Sequence, residues 1–347
     1  MNALSNRCVR QLFHYKKALL PFATKFAYVE TRRALSGAAL VQVSPKNIQP
    51  YLKLMRIDKP TGFWLLYWPC TWSIALSATP GSLPDLKMLA LFGAGSILMR
   101  SAGCIVNDIF DKNYDRMVER TQSRPLASGE LSNRQALSVL AVLLSGSLAI
   151  LLQFSWFSVA VGASSLFLVV VYPLAKRYTY WPQFVLGLTS NWGVFIAWSH
   201  LCPNTLLTVI PLYTATVLYT ATYDTIYSHQ DKADDLIAGV KSTALLFGDR
   251  TKHWLTGFAA LTMLGLGTTG VMVQQTWPFY GALAATGVHL AWQIGTVNIN
   301  DPKDCWRKFK TNQWLGIILF TGIVAGNLLR KEEKEGTNPA LLEKFIE

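Results

Sequence analysis

The chain has 347 residues, of which 51% are hydrophobic, 15% charged and 12% aromatic, and its mean hydropathy is +0.26. Soluble domains carry about 25% charged residues, so this composition excludes an ordinary soluble enzyme and indicates a membrane protein. The net charge is +12, which points to nucleic acid, anionic lipid or an anionic substrate as a partner. The five cysteines are widely separated, which argues against a disulfide framework or a thiolate zinc site.

The first 44 residues differ from the rest of the chain. They contain seven basic residues and a single acid, Glu30, with no unbroken apolar block. This pattern is typical of a mitochondrial presequence, and a disordered basic tail that binds lipid is the alternative. A secretory signal is not supported, because the longest apolar run is short and contains Pro21. We therefore predict a presequence over 1–44, a membrane domain over 45–330 and a polar tail over 331–347.

Beyond Thr61, nine apolar stretches approach the roughly 20 residues that a helix needs to cross a bilayer. A soluble domain could not bury nine nearly uncharged helices, so the sequence predicts an all-α polytopic membrane protein with nine transmembrane helices. A tight turn near 153–156 must divide the third stretch from the fourth. The stretches are approximately 62–79, 88–106, 136–153, 156–173, 183–200, 206–222, 255–273, 278–296 and 314–329.

The connections between these stretches are strongly asymmetric in charge. One alternating set carries eighteen Lys and Arg residues, whereas the opposite set carries only Lys87. By the positive-inside rule, the basic face points toward the compartment from which insertion occurs. For a mitochondrial inner-membrane protein, this compartment is the matrix.

Two acidic clusters follow apolar stretches that end on the basic face, one at 107–115 and one at 223–235. In a helix, residues three, four and seven apart share a face, so Asp108, Asp111 and Asp115 should align. The same spacing aligns Asp224, Asp231 and Asp235. Dense carboxylates need a neutralising cation, and hard oxygen ligands suit Mg²⁺ that is shared with a substrate phosphate. A solvated acidic loop could explain one cluster, but two on one face favour a metal-diphosphate site.

Basic residues near both clusters could bind the diphosphate, because arginine forks and lysine charges match phosphate oxygens. The positive-inside rule alone would account for some of these basic residues. The candidates are Arg116, Arg120, Arg124, Lys176, Arg177 and Lys241.

Four motifs together resemble the UbiA-type intramembrane prenyltransferases. They are N-D-x-x-D-x-x-x-D at 107–115, R-x-x-x-R-P-L-A-S-G at 120–129, Y-x-x-x-K at 172–176 and D-x-x-x-D at 231–235. The resemblance extends over about 54–329 and implies a nine-helix bundle around a cavity open to lipid. It also implies Mg²⁺ held by the Asn and Asp residues of both acidic motifs, which are Asn107, Asp108, Asp111, Asp115, Asp231 and Asp235.

Longer matches at 54–62 and 223–244 narrow the resemblance to family members that prenylate 4-hydroxybenzoate in ubiquinone synthesis. The implied partners are a polyprenyl diphosphate, 4-hydroxybenzoate, the bilayer and other proteins of that pathway. Asp111, Asp231, Tyr172 and Lys176 are the candidate catalytic residues. Arg56 and Lys59 are candidates for the acceptor carboxylate, although either could be a membrane-interface anchor.

Two other functions stay open at this point. The fold could serve another aromatic acceptor, as in haem-type prenyltransferases, or the acids could belong to a cation transporter. Transport sites tend to lie near the membrane midplane, whereas these acids follow span ends, which favours the enzyme. His200, Cys202 and His289 lack matching partners and are interpreted as structural. Nucleic-acid binding is not expected, since topology and diphosphate account for the basic residues.

Overall fold

The computed structural model describes residues 37–331, and every regular element within that range is helical, which confirms the all-α prediction. Short 3₁₀ turns lie at Pro203–Val209, His229–Asp231 and Gly248–Arg250. The helices are α1 Gly37–Val43, α2 Gln49–Leu54, α3 Thr61–Leu76, α4 Leu86–Asp115, α5 Pro125–Ser128, α6 Asn133–Leu151, α7 Trp156–Tyr178, α8 Pro182–Ser190, α9 Gly193–Leu201, α10 Ile210–Ser228, α11 Lys232–Ala238, α12 Thr243–Phe247, α13 Thr251–Met272, α14 Trp277–Thr296 and α15 Pro302–Leu328.

Most of the predicted presequence, residues 1–36, and the tail beyond residue 331 lie outside the described residues. Within 37–44, α1 buries Val41. The side-chain amide of Gln49 donates to the Ser44 carbonyl at 2.9 Å and so ties the end of α1 to the start of α2. The domain boundaries given above stay predictions.

Each of the nine predicted apolar stretches falls largely on helix. Within residues 37–331, five helical runs are long and apolar enough to cross a membrane. The number of nine crossings therefore stays a prediction. The five runs are Leu86–Asp115, Asn133–Leu151, Trp156–Tyr178, Pro203–Ile237 and Thr243–Met272.

The connection between α6 and α7 confirms the predicted tight turn. Residues 152–155 separate the two helices, and the Ser155 hydroxyl accepts the backbone N–H of Ser158 at the start of α7. This hydrogen bond satisfies one of the N–H groups that lack a partner in the first turn of a helix. The two long helices are thus joined with almost no loop.

The fifth stretch is broken into α8 and α9 at Asn191. The Asn191 amide is buried and donates to Gly187 O at 2.8 Å and to Thr220 Oγ1 of α10 at 2.9 Å. A Cβ on Gly187 would stand 2.9 Å from the Val217 carbonyl oxygen, so the backbones of α8 and α10 are in close approach. A buried amide inserted between helices is a known cause of such breaks.

The hydrophobic interior of the described residues has three parts. The largest part is built from α3, α9, α10, α13, α14 and α15, and in it Trp72 donates its indole N–H to Gly316 O at 3.1 Å. A second part joins α2, α4 and α6 around Leu54 and Ile105, and a third joins α3, α4 and α9 around Phe92. Together these parts hold the ends of α4 and α10 beside one large cavity.

Candidate active site

The first acidic cluster occupies the end of α4, which continues to Asp115 instead of ending near residue 106. Asp108, Asp111 and Asp115 are 1%, 4% and 7% exposed, and all three line the cavity. The prediction that they share one helix face is therefore confirmed. Asn107 is half-buried and lines the same wall.

The second acidic cluster spans a change of helix. Asp224 lies in α10, Asp231 in the 3₁₀ turn and Asp235 in α11, so the continuous helical phase expected for these three is interrupted at the turn. The buried His229 fixes this turn through a 3.0 Å contact between its Nε2 and Thr251 Oγ1. All three carboxylates still line the cavity that holds the first cluster.

Arg56 reaches the first cluster from an unusual backbone conformation. Its φ of +58° lies in the left-handed region, where glycine is the usual residue at the end of a helix. Hydrogen bonds from Arg56 N to Lys53 O and from Ile57 N to Leu52 O close the end of α2 around it. From there, Arg56 Nη2 contacts both carboxylate oxygens of Asp108, at 2.7 and 2.8 Å.

Arg124 and Lys176 neutralise the rest of the first cluster. Arg124 Nη1 lies 3.2 Å from Asp108 Oδ1 and 2.8 Å from Asp115 Oδ2, so one guanidinium joins two carboxylates. Lys176, at the end of α7, forms an ion pair with Asp111. The structure thus brings residues from three predicted motifs together.

Arg120 neutralises a carboxylate of the second cluster. It forms a two-pronged ion pair with Asp231, with Nε 2.8 Å from Oδ1, and Nη1 donates to the Tyr227 hydroxyl at 3.3 Å. Burial lowers the pKa of this guanidinium, but Tyr227 and Asp231 outweigh burial, so its pKa lies above the ordinary value. Arg120 therefore stays charged at the mouth of the cavity.

The cavity has a volume of about 1310 Å³ and collects most of the predicted site residues. Arg116 and Arg177 do not line it. Arg116 donates to Ala127 O at 3.0 Å, and Arg177 donates to Phe110 O at 3.1 Å. The predicted residues that line the cavity are Arg56, Lys59, Asn107, Asp108, Asp111, Asp115, Arg120, Arg124, Tyr172, Lys176, Asp231, Asp235 and Lys241.

The cavity also has an apolar arm between α6 and α7. Leu144, Leu148, Leu166 and Val170 line it, and between 42% and 63% of the surface of each residue is exposed. Cavity-lining residues with this much exposed surface indicate that the arm opens to the surroundings at the side of the bundle. In a membrane, this opening would face the hydrocarbon.

One charged residue of the cavity lining, Arg100, is absent from the predicted site, whereas Asp224 belongs to the second predicted acidic cluster. Arg100, in α4, and Asp224 are close enough to interact electrostatically, and Tyr172 lies within the same range of both. The Arg100 guanidinium lies against Gly62 in the first turn of α3. A lone arginine in an otherwise apolar span is itself a functional signal, so Arg100 was open to prediction.

A divalent metal fits the donors present at the acidic end. Within residues 37–331, no three His, Cys, Asp or Glu side chains are grouped as a metal site, and Arg and Lys hold the carboxylates of the first cluster in ion pairs. However, Asp111 Oδ1 is buried and makes no hydrogen bond within the described part of the chain. Such a buried oxygen requires a partner, and a hard cation is a suitable one.

Residues 66–318 match the UbiA prenyltransferase family. A protein of Caenorhabditis elegans named "4-hydroxybenzoate polyprenyltransferase, mitochondrial" is 59% identical over 85% of this chain and 83% of its own length. The protein of that name from Homo sapiens is 51% identical over 90% of this chain and 84% of its own length. Together with the five membrane-length helices, these relatives identify a mitochondrial membrane protein.

Solved structures share the fold. The apo structure of a UbiA homolog from Aeropyrum pernix K1 has a TM-score of 0.65 at 24% identity and covers 76% of this chain and 97% of its own. A UbiA homolog from Archaeoglobus fulgidus, bound to GPP and Mg²⁺, has a TM-score of 0.62 at 19% identity, with coverage of 80% and 99%. At these identities, the likeness supports the helical arrangement alone.

Proposed function

This chain belongs to the UbiA prenyltransferase family, and we propose that it transfers a polyprenyl group from polyprenyl diphosphate to 4-hydroxybenzoate. The new bond forms at the ring carbon ortho to the hydroxyl, a membrane step of ubiquinone synthesis. The protein acts in the mitochondrial inner membrane, with its acidic clusters toward the matrix. The observation that carries this proposal is one cavity that joins a cluster of acids and arginines to an apolar arm open at the bundle surface.

The diphosphate head group binds among the two acidic clusters. Arg120, Arg124 and Lys176 line that end of the cavity and match phosphate oxygens in charge and geometry. Asn107, Asp108, Asp111, Asp115, Asp231 and Asp235 are the oxygen donors that would hold Mg²⁺ there. Bound in that place, Mg²⁺ would offset the charge that develops on the departing diphosphate.

The prenyl chain occupies the apolar arm between α6 and α7. Its lateral opening allows a chain longer than the cavity to continue into the bilayer, so the protein does not need to enclose the whole substrate. The same walls exclude water from the reacting carbon. That exclusion protects an allylic cation, which water would quench.

The acceptor lies in the deeper part, beside Arg100 and Tyr172. The Arg100 guanidinium can hold the carboxylate of 4-hydroxybenzoate, a role for which Arg56 is less suited because it is bound to Asp108. Tyr172 lies within electrostatic range of both Arg100 and Asp111, and its ring can stabilise the allylic cation. The allylic C–O bond breaks as diphosphate leaves, the ring carbon ortho to the hydroxyl forms the new C–C bond, and its proton passes to the released diphosphate.

The test is incubation of the purified protein, reconstituted in liposomes, with Mg²⁺, a polyprenyl diphosphate and 4-hydroxybenzoate. Mass spectrometry should detect 3-polyprenyl-4-hydroxybenzoate and released diphosphate. Parallel reactions with other aromatic acceptors measure the selectivity. Efficient prenylation of a different acceptor, with none of 4-hydroxybenzoate, would overturn the assignment while leaving the family intact.

A further inference from the structure

A second basic groove lies at the same end of the bundle, on the outer side of α14 and α15. It has a volume of about 540 Å³, and its lining includes Trp292, Arg307, Lys308 and Trp314. No residue of this groove lines the large cavity. Helix α15 therefore presents two faces, with Trp306 and Phe309 toward the cavity and the basic residues toward the outside.

Lys308 forms the floor of this groove. Lys308 is only 8% exposed. Its Nζ lies 3.7 Å from the centroid of the Trp292 ring and donates to the Thr296 hydroxyl. The aromatic face and the hydroxyl together hold the ammonium in one place. An ammonium carries three N–H donors, so it retains capacity for an oxygen ligand in the groove.

The side chains around Lys308 carry a net positive charge. Arg307 and Lys310 add two cations against one carboxylate, that of Asp304. Asp304 is already engaged, since it accepts Asn298 N at 2.8 Å and Arg307 Nη2 at 2.6 Å. The groove is therefore suited to an anion.

The surface below these cations is apolar. Trp314 lies one helical turn beyond Lys310, and the exposed Ile317 and Ile318 follow it along α15. Exposed tryptophans next to lysine and arginine mark the level of the lipid head groups in a membrane protein. A group of cations above an apolar stripe is complementary to a phospholipid. The phosphate would lie at the cations and an acyl chain would lie along the stripe.

We propose that the groove between α14 and α15 binds the phosphodiester head group of an anionic bilayer phospholipid. This site is separate from the prenyl-transfer cavity and does not depend on the acceptor assigned there. Free phosphate is also an anion, but it has no acyl chain that could pack against the apolar stripe.

The experiment measures lipid retained by the purified, full-length protein in neutral detergent. Native mass spectrometry follows binding during titration with phosphatidylglycerol or with phosphatidylcholine. The wild type should retain phosphatidylglycerol preferentially. Each cation near a membrane surface contributes about five-fold to binding of anionic lipid, so the double variant Arg307→Gln, Lys310→Gln should lose about twenty-fold or more. Lys308→Gln should lose at least about five-fold.

Arg134→Gln is the matched control, because Arg134 is an exposed cation on the same end of the protein at the start of α6. It should retain phosphatidylglycerol like the wild type. The double variant keeps the test valid if Lys308→Gln fails to fold, because Arg307 is largely exposed. Equal retention of the two lipids, or an equal loss in the control, would overturn the proposal. Full competition by glycerol phosphate would also overturn it, since it would indicate a site for soluble anions.

Discussion

Arg100 lies directly over Gly62. A Cβ added at residue 62 would stand 2.5 Å from Arg100 Nη2 and 2.7 Å from its Cζ, so the absence of a side chain on α3 allows the guanidinium to occupy that position. The contact joins the first turn of α3 to the middle of α4. It places a cation in the deep part of the cavity, where we assign the acceptor carboxylate.

The substitution Gly62→Ala should therefore impair acceptor binding. The displaced atoms are the end of a flexible side chain, so folding should be retained, and alanine is favoured over glycine within a helix. We expect the KM for 4-hydroxybenzoate to rise about ten-fold or more, with the KM for the prenyl diphosphate changed little. Gly281→Ala, on a helical glycine that does not line the cavity and has nothing within 4 Å of the added Cβ, is the control. An equal rise in both KM values would contradict the role given to Arg100.

Asp111→Asn and Asp231→Asn should each reduce turnover by at least about 100-fold, because each removes a charge that acts on the transition state. Chelation with EDTA should abolish activity, and added Mg²⁺ should restore it. Asp249→Asn changes an exposed carboxylate at the same end of the protein and should leave turnover within about two-fold. Full activity in EDTA would rule out the metal-diphosphate site.

Arg120 and Arg116 form a matched pair, four residues apart, of which only Arg120 lines the cavity. Arg120→Gln should raise the KM for the prenyl diphosphate about ten-fold or more, since hydrogen bonds to charged groups contribute about 1.5–3 kcal/mol. Arg116→Gln should change it less than about three-fold. Steady-state kinetics at saturating acceptor distinguish the two variants. If both behave alike, general basicity and not the cavity position determines diphosphate binding.

The two acidic clusters must emerge on one side of the membrane. Single cysteines at Ser132 and Asp249, both exposed, should react with a membrane-impermeant thiol reagent from the matrix side. Cysteines at Leu83 and Asn204, also exposed, should react from the other side. The background is a cysteine-free variant with preserved activity. Labelling of the Ser132 and Asp249 positions from opposite sides would be incompatible with a shared site.

Deletion of residues 1–34 should abolish mitochondrial import but preserve catalysis. The deletion leaves intact α1 and the Gln49 hydrogen bond that ties it to α2. Import into isolated mitochondria measures the first effect, and activity of the truncated protein inserted into liposomes measures the second. Efficient import without these residues would show that the presequence lies elsewhere in the chain.

Much of the architecture is open to prediction because it depends on local properties. Hydropathy alone predicts the long apolar helices and the turn at 152–155, and residue spacing predicts the shared face of Asp108, Asp111 and Asp115. The break at Asn191 is different. It depends on a partner in α10 that lies 29 residues away in sequence, so no local pattern indicates it.

The pairing within the site is equally non-local. Several cations in the sequence could neutralise Asp108, and only the tertiary structure selects Arg56 and Arg124. Sequence rules place glycine in the left-handed conformation that Arg56 adopts, so its orientation could not be anticipated. Such departures from local preference are expected at functional sites.

The ion pairs at the acidic end have a thermodynamic consequence. Asp108, Asp111, Asp115 and Asp231 are each held by an arginine or lysine of the protein itself. A carboxylate that turns to a metal releases its cation, and that cation then becomes available to phosphate. The affinities for the two ligands should therefore be linked, so that each strengthens the other by the same factor. Neither the metal nor the diphosphate alone would replace these ion pairs completely. The allylic C–O bond would be activated only when both ligands are bound.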